Sequence, residues 1–185
     1  MTSEHHFIVG IDLGTTNSSV SYADLDLPEG GRPVIRKFPV HQLTGPGEFA
    51  PLSVLPSFLY IPGEYDIADQ DKAAPWSIEQ RSRDDQNFVG AFARDHGAKV
   101  PARLVSSAKS WLCNKAVDTR ARILPWGAGD DVLKVSPVHA AAAYLKHIRK
   151  AWNVSMGDDE ECYLERQMVV VTIPASFDEV ARDLT

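Results

Sequence analysis

The alternation of apolar and polar positions predicts a β-hairpin at the start of the chain. Residues 7–11 are an apolar run that ends at Asp12, and residues 18–23 alternate small polar with larger side chains. Residues 13–17 lie between them and contain one glycine, which is the length and composition of a hairpin loop. We expect residues 34–38 to add a third strand to the same sheet.

The stretch from residue 45 to residue 90 is irregular and rich in proline. It predicts two short strands, at 57–61 and 87–89, joined by the long polar segment 62–86. A connection of this length is either functional or mobile in most proteins, and the pattern favours neither.

Helical patterns become stronger toward the C-terminus. Short helices are predicted over 90–95 and 102–112, and a strand over 132–135. The strongest helix begins at Ser136, a preferred N-cap residue, with Pro137 at the first helical position, where its missing N–H costs nothing. Its apolar positions recur at helical spacing: Val138, Ala141, Ala142, Leu145, Ile148 and Trp152.

The end of the chain predicts one more strand and one more helix. Residues 168–173 form an apolar run typical of a fully buried strand, and Pro174 ends it. Asp178 then opens a helix over 179–184 that stops after barely two turns. We therefore expect the chain to be truncated inside a helix.

Composition and charge narrow the classes of function. The 185 residues are 44% hydrophobic and 24% charged, as in globular proteins, and the net charge of -6 argues against general binding to nucleic acid or anionic membranes. Cys113 and Cys162 form no CxxC or Cys/His cluster, so we expect reduced thiols. The six histidines show no metal-ligand spacing. Without a signal peptide or an apolar span, the expected location is cytoplasmic.

The predicted hairpin loop carries the groups that a phosphate site needs. A strand delivers the carboxylate of Asp12, Gly14 lets the backbone approach a ligand closely, and the hydroxyls of Thr15 and Thr16 follow. Phosphate oxygens bind converging N–H and O–H donors, and hydrated magnesium binds near a carboxylate. The residues alone leave open an ordinary Gly-Thr turn with a solvated aspartate. A Walker A motif is absent from the sequence.

Two blocks of sequence resemble a known family. Residues 7–18 are similar to the first phosphate loop of the actin-like ATPase superfamily. The sequence IDLGTTNS resembles this loop in the 70-kDa heat-shock chaperones in particular. Residues 169–177, followed by Arg182, are similar to that family's strand–proline–aromatic segment and the helix after it. Between these blocks, residues 55–57, Val-Gly at 89–90 and Ala-Lys at 108–109 follow in the family's order.

The resemblance covers essentially the whole chain and implies a divergent bacterial, DnaK-type member. The implied fold is α/β: lobe I of an actin-like (ribonuclease-H-like) ATPase, a mixed sheet with flanking helices plus a smaller α+β subdomain IB. Residues 1–45 and 153–185 would form subdomain IA, residues 46–135 subdomain IB, and residues 136–152 the helix between them. The chain would then end before lobe II.

The resemblance also implies site residues, with ATP or ADP and Mg²⁺ as cofactors. Asp12 matches the aspartate that orients magnesium-bound water, and is thereby a catalytic and metal-linked candidate. Gly14, Thr15 and Thr16 match the loop around the β- and γ-phosphates, with Thr15 also a catalytic candidate. Asn17 matches a position whose backbone faces phosphate.

Three further positions are matched to functional residues of the family, and for two of them the residues alone offer a simpler interpretation. Pro174 and Arg182 match residues that pass nucleotide state to the substrate-binding domain, although a strand terminator and a solvated helix charge explain them equally from the residues alone. Arg94 stands where the family has a catalytic lysine. Its planar fork cannot replace an ammonium freely, so binding would survive while hydrolysis slows. The segment 62–86 is longer than the family norm, which puts recognition of a generic exchange factor in doubt.

The leading hypothesis is therefore the ATP-binding and ATP-hydrolysing lobe of a chaperone that assists protein folding through a nucleotide-controlled switch. Its partners would be unfolded or hydrophobic client peptides, bound by a C-terminal domain, with a J-domain co-chaperone and a nucleotide exchange factor. The alternatives are a catalytically weak switch or scaffold of the same family, and a sugar kinase or filament-forming relative. The 185 residues alone are expected to bind ATP weakly and hydrolyse it negligibly.

Overall fold

The computed structural model describes residues 5–28, 30–63, 66–67, 87–157, 159–173, 177 and 179–183. Its strands are β1 Phe7–Asp12, β2 Asn17–Asp24, β3 Arg36–Phe38, β4 Val40–Gly45, β5 Glu48–Leu52, β6 Leu55–Pro56, β7 Phe58–Tyr60, β8 Phe88–Val89, β9 Leu104–Ser106 and β10 Met168–Thr172. Its helices are α1 Ala91–Gly97, α2 Ala108–Leu112, α3 Pro137–Met156 and α4 Glu179–Asp183.

The main sheet has the strand order β10-β1-β2-β3, with β6 paired to the beginning of β2. The β1 and β2 strands are antiparallel, as the predicted hairpin requires, whereas β1 and β10 are parallel and place Asp12 opposite Thr172. Two parallel strands need a crossover, and the smaller sheets and α3 lie in it. The expected mixed α/β architecture with flanking helices is confirmed and is consistent with an actin-like ATPase lobe.

Two smaller sheets lie between β3 and α3 in the chain. The order β8-β7-β9 confirms the two short strands predicted near residues 57–61 and 87–89. The β4–β5 hairpin was not predicted, because Pro51 lies within β5. Proline is tolerated on an edge strand, and this two-stranded ribbon consists only of edges.

The core is centred on Trp152 of α3, which is completely buried. Three aromatic rings from β1, β2 and β3 surround it, with centroid distances of 5.7 Å to Phe7, 5.4 Å to Tyr22 and 5.0 Å to Phe38. Edge-to-face and tilted pairs of this kind add stability beyond the area they bury. They hold α3 against the main sheet.

The predicted start of α3 is confirmed. Ser136 Oγ accepts a hydrogen bond of 3.0 Å from the N–H of His139, and Pro137 occupies the first turn. The predicted apolar face is rotated from the observed one, because small and aromatic side chains pack on the sheet. The buried residues of α3 are Pro137, Ala140, Ala141, Tyr144, Ile148, Ala151 and Trp152.

Two predicted elements in the middle of the chain are wrong. Instead of one helix over 102–112, a 3₁₀ turn, β9 and α2 follow one another, because residues 104–106 pair with β7. Ser107, with a φ of 53°, separates β9 from α2. Instead of a strand over 132–135, there is one isolated bridge between Leu124 and Val135.

Two strands are shorter or more exposed than predicted. The third strand begins at Arg36 rather than at residue 34, and the side chain of Ile35 is 80% exposed. The β10 strand was predicted to be fully buried, but its Met168 is 45% and its Val170 49% exposed. Among the described residues β10 is an edge strand, paired only with β1.

Two predictions fall mainly outside the described residues. The polar segment 62–86 is described only at 62–63 and 66–67, and Pro174 is not described. In the part of the chain that is described, no helix combines the length and apolar character needed to cross a bilayer.

Candidate phosphate-binding site

The loop between β1 and β2 is a tight turn that only glycine can form. The N–H of Gly14 donates a hydrogen bond of 3.1 Å to the carbonyl of Asp12. A Cβ atom on Gly14 would lie 1.9 Å from the carbonyl oxygen of Asn17, which is far inside van der Waals contact. The close approach of these two backbone segments, rather than an unusual φ angle, therefore requires glycine here.

The polar side chains of this loop are open to solvent. Asp12, Thr15, Thr16 and Asn17 are exposed, while the side chain of Leu13 is buried in the core with 1% exposure. The buried leucine anchors the loop, and the carboxylate and both hydroxyls remain accessible. The loop thus brings together five of the residues predicted for phosphate and magnesium binding, counting Gly14.

Thr172 orients the carboxylate of Asp12. Its hydroxyl donates a hydrogen bond of 2.8 Å to Asp12 Oδ1, across the paired ends of β10 and β1. A carboxylate fixed by one donor keeps its other oxygen for a hydrated cation. This donor set fits a water-mediated magnesium contact. Among the described residues no cluster of three His, Cys, Asp or Glu side chains is suited to direct metal binding.

Ser57 supports the loop from below with three contacts. Its Oγ donates a hydrogen bond of 2.8 Å to the carbonyl of Gly14 and lies 3.0 Å from Ser18 Oγ. Its N–H donates to the carbonyl of Thr16 at 2.8 Å. In a trans peptide the C=O and N–H groups point in opposite directions. The N–H of Thr15 therefore points away from Ser57.

Lys109 of α2 also contacts the loop. It is only 7% exposed, and its Nζ donates a hydrogen bond to the carbonyl of Leu13. The Nζ atom also lies 5.6 Å from the centroid of the Phe177 ring, within cation–π range. Burial lowers the pKa of Lys109, while the negative charge of Asp12 acts in the opposite direction.

Arg94, the position matched to the family's catalytic lysine, pairs with its neighbour in the chain. It is exposed on α1 and forms a bidentate ion pair with Asp95, at 2.7 Å from Nε and 3.1 Å from an Nη atom. This pair raises the pKa of Arg94 and lowers that of Asp95. Arg182 is likewise exposed, on α4. These contacts do not test the roles that the family resemblance implies for Arg94 and Arg182.

Sequence reasoning missed Ser57, Lys109 and Thr172 as parts of the site. One signal was available for Lys109, which lies three residues before the apolar Leu112 in a short helix and so shares its buried face. A lysine on an apolar face needs a partner. Ser57 and Thr172 reach the loop only through strand pairing, which local sequence does not reveal.

The sequence is similar to a known chaperone over nearly its whole length. No protein-family model matches the chain. The chain is 27% identical over 191 aligned residues to the chaperone protein HscA homolog of Photobacterium profundum. The similarity supports a relationship to the Hsp70-type chaperones. It covers 97% of this chain but 24% of the relative, so the chain spans about a quarter of that protein's length.

Proposed function

We propose that this chain forms the phosphate-binding part of the ATP-binding lobe of an Hsp70-type chaperone. The loop of residues 12–17 carries the proposal. Its glycine cannot be replaced without a clash, and its polar side chains are exposed. Ser57 and Lys109 donate hydrogen bonds to three of its backbone carbonyls. A solvated turn without a ligand would need neither this support nor a buried cation.

Each loop residue has a defined task in this proposal. The hydroxyls and backbone N–H groups of Thr15 and Thr16 donate to the β- and γ-phosphates of ATP, Gly14 allows the backbone to approach them closely, and the backbone of Asn17 faces phosphate. Asp12, held by Thr172, accepts from a water molecule on Mg²⁺. The ion, when bound, neutralises phosphate charge. The protein's own contribution is to present donors that need no rearrangement.

The wider organisation follows the same proposal. Residues 1–45 and 153–185 belong to subdomain IA, 46–135 to subdomain IB, and 136–152 to the helix that connects them. Pro174 and Arg182 pass the nucleotide state to a peptide-binding domain. Client peptides, a J-domain co-chaperone and an exchange factor are the corresponding partners, and the protein acts in the cytoplasm.

The Arg94–Asp95 ion pair favours a second candidate, a switch that binds nucleotide but hydrolyses it slowly. A guanidinium held by its neighbouring carboxylate is less free to reach the γ-phosphate than a lysine would be. In this candidate, nucleotide binding alone controls the conformation. Turnover measurements separate it from the hydrolysing chaperone.

The proposal is tested by calorimetric titration of the full-length protein with ATP, with and without Mg²⁺. We expect magnesium to tighten ATP binding in the wild type, and Asp12→Asn to remove most of that gain. Asp131→Asn is the matched control, because Asp131 is exposed and its ion pair with Arg103 is a surface contact. Wild-type protein that binds ATP no more tightly than adenosine would refute the proposal.

A further inference from the structure

Lys109 is a buried cation whose position packing alone does not explain. It lies on α2 between Ala108, which is completely buried, and the exposed Ser110. Burying an ammonium costs free energy unless it is paired or hydrogen-bonded, and an apolar side chain of similar length would fill the space without that cost. The charge therefore has a use at this site.

The contacts of the ammonium group connect it to the phosphate loop. Its hydrogen bond goes to the carbonyl of Leu13, the residue between Asp12 and Gly14. The side chain of Leu13 is itself buried in the core. Leu13 is therefore held both by its side chain and by its carbonyl. The Nζ atom also lies 5.6 Å from the centroid of the Phe177 ring, which is within the range of a cation–π contact.

We propose that Lys109 is a positioning residue for nucleotide, which fixes the Leu13 carbonyl and holds one positive charge beneath the phosphate-facing side of the loop. This inference rests on the proposed function. Lys109 contacts the loop rather than the ligand, so it acts through residues 12–17. Lys109 also supplies a positive charge close to the loop. The guanidinium of Arg94, by contrast, is paired with Asp95.

A charge beneath the loop has a signature that a purely structural contact lacks. Its attraction for the ligand grows with the ligand's negative charge, because Coulomb energies add over the phosphates. Removal of the charge must therefore weaken ATP most, ADP less and AMP least. A structural defect in the loop would instead weaken all three nucleotides by a similar factor.

The test is calorimetric titration of the full-length protein and its Lys109→Met variant with ATP, ADP and AMP. Methionine has a similar length without the charge. We expect about a tenfold loss of ATP affinity, as for one charged interaction in a protected site, a smaller loss for ADP and almost none for AMP. The matched control is Lys146→Met, which removes the same charge from an exposed position on α3.

A second readout needs no ligand. Because the Leu13 carbonyl accepts from Lys109, the amide of Gly14 in the same peptide group is polarised, and its ¹⁵N resonance is expected to shift in Lys109→Met but not in Lys146→Met. Lys109→Arg keeps the charge and is expected to keep the preference for ATP over AMP. It serves as the decisive variant if Lys109→Met fails to fold.

Three results separate the possible failures. Equal losses for ATP, ADP and AMP would reduce Lys109 to a structural contact and overturn the inference. Unchanged affinities and an unchanged Gly14 resonance would do the same. Wild-type protein that does not prefer ATP over AMP would instead refute the proposed function, and this inference with it.

Discussion

The hydroxyl of Thr172 donates a hydrogen bond of 2.8 Å to Asp12 Oδ1 and so joins the last residue of β10 to the last residue of β1. The two strands are parallel and the two residues are register partners. The contact therefore depends on a pairing between residues 160 positions apart. It links the strand that precedes Pro174 to the carboxylate proposed to bind magnesium-bound water.

Replacement of Thr172 by valine tests this link. Valine keeps the shape and the β-branch but loses the donor, and the site is exposed, so we expect the free energy of unfolding to change by less than about 1 kcal/mol. We expect magnesium-dependent ATP affinity to fall several-fold, because Asp12 becomes free to rotate. Thr44→Val, which removes a hydroxyl that donates to Glu48 in the β4–β5 hairpin, is the control. Equal effects of both variants on affinity would contradict the prediction.

Gly14 is expected to tolerate no side chain, whereas Gly10 in the same hairpin should tolerate alanine. A Cβ on Gly14 meets the Asn17 carbonyl at 1.9 Å, but a Cβ on Gly10 has its nearest neighbour, the Ser21 carbonyl, at 3.8 Å. We expect Gly14→Ala to cost about 1–3 kcal/mol of unfolding free energy, as overpacked sites do, and to abolish ATP binding. Gly10→Ala should change stability by less than about 1 kcal/mol. Urea unfolding and ATP titration of both variants are the measurements, and tight ATP binding by Gly14→Ala would exclude the loop as the site.

The features predicted correctly from sequence are local ones. The β1–β2 hairpin follows from an apolar run, a glycine-containing loop and a second alternating run within residues 7–24. The start of α3 follows from Ser136 and Pro137. In both places the residues that determine the structure are neighbours in the chain, so the pattern is sufficient.

The features that were missed depend on distant partners. The β9 strand was interpreted as helix because its residues have no strand pattern of their own, and only pairing with β7 makes them extended. The exposure of β10 depends on which elements pack against its two faces. The apolar sequence of the strand does not reveal this. Ser57 and Lys109 reach the phosphate loop from 43 and 96 residues away.

Ser57 is expected to be a stability residue as well as a loop support. It is 1% exposed, and Ser57→Ala leaves the Gly14 carbonyl and Ser18 Oγ without this partner, which costs about 1–3 kcal/mol for buried groups. Ser106→Ala, at an exposed position of β9, should cost less than about 0.5 kcal/mol. Chemical unfolding measures both, and a Ser18→Ala/Ser57→Ala double-mutant cycle should show coupling between the hydroxyls. Additive effects of the two serines would argue against a shared hydrogen bond.

Arg94 decides between the hydrolysing chaperone and the slow switch. Under the switch hypothesis, single-turnover ATP hydrolysis by the full-length protein is slow, and Arg94→Lys raises the rate by about 10²-fold, the effect of one well-placed electrostatic group. Under the chaperone hypothesis, the wild type already turns over ATP and lysine adds nothing. Asp95→Asn is the matched variant, because it releases Arg94 from its ion pair without changing the arginine. A gain with Asp95→Asn alone would show that the ion pair, rather than the guanidinium, limits hydrolysis.

His147 is expected to make the fold less stable in mild acid. Burial on α3 lowers the pKa of His147 to about 4, the hydrogen bond from Nε2 to the His41 carbonyl acts in the opposite direction, and Lys150 lowers the pKa further. Below pH 6.5 His147 is protonated in the unfolded chain but stays neutral in the folded chain. Stability therefore falls as the pH falls from about 6.5 toward 4. Because the residue as a whole is only partly buried, we expect a loss of about 1–2 kcal/mol between pH 7.5 and pH 5 from this residue. Urea unfolding of wild type and His147→Gln at both pH values measures it, since glutamine cannot take up the proton. The same pH slope in both proteins would show that His147 titrates equally in the folded and unfolded states.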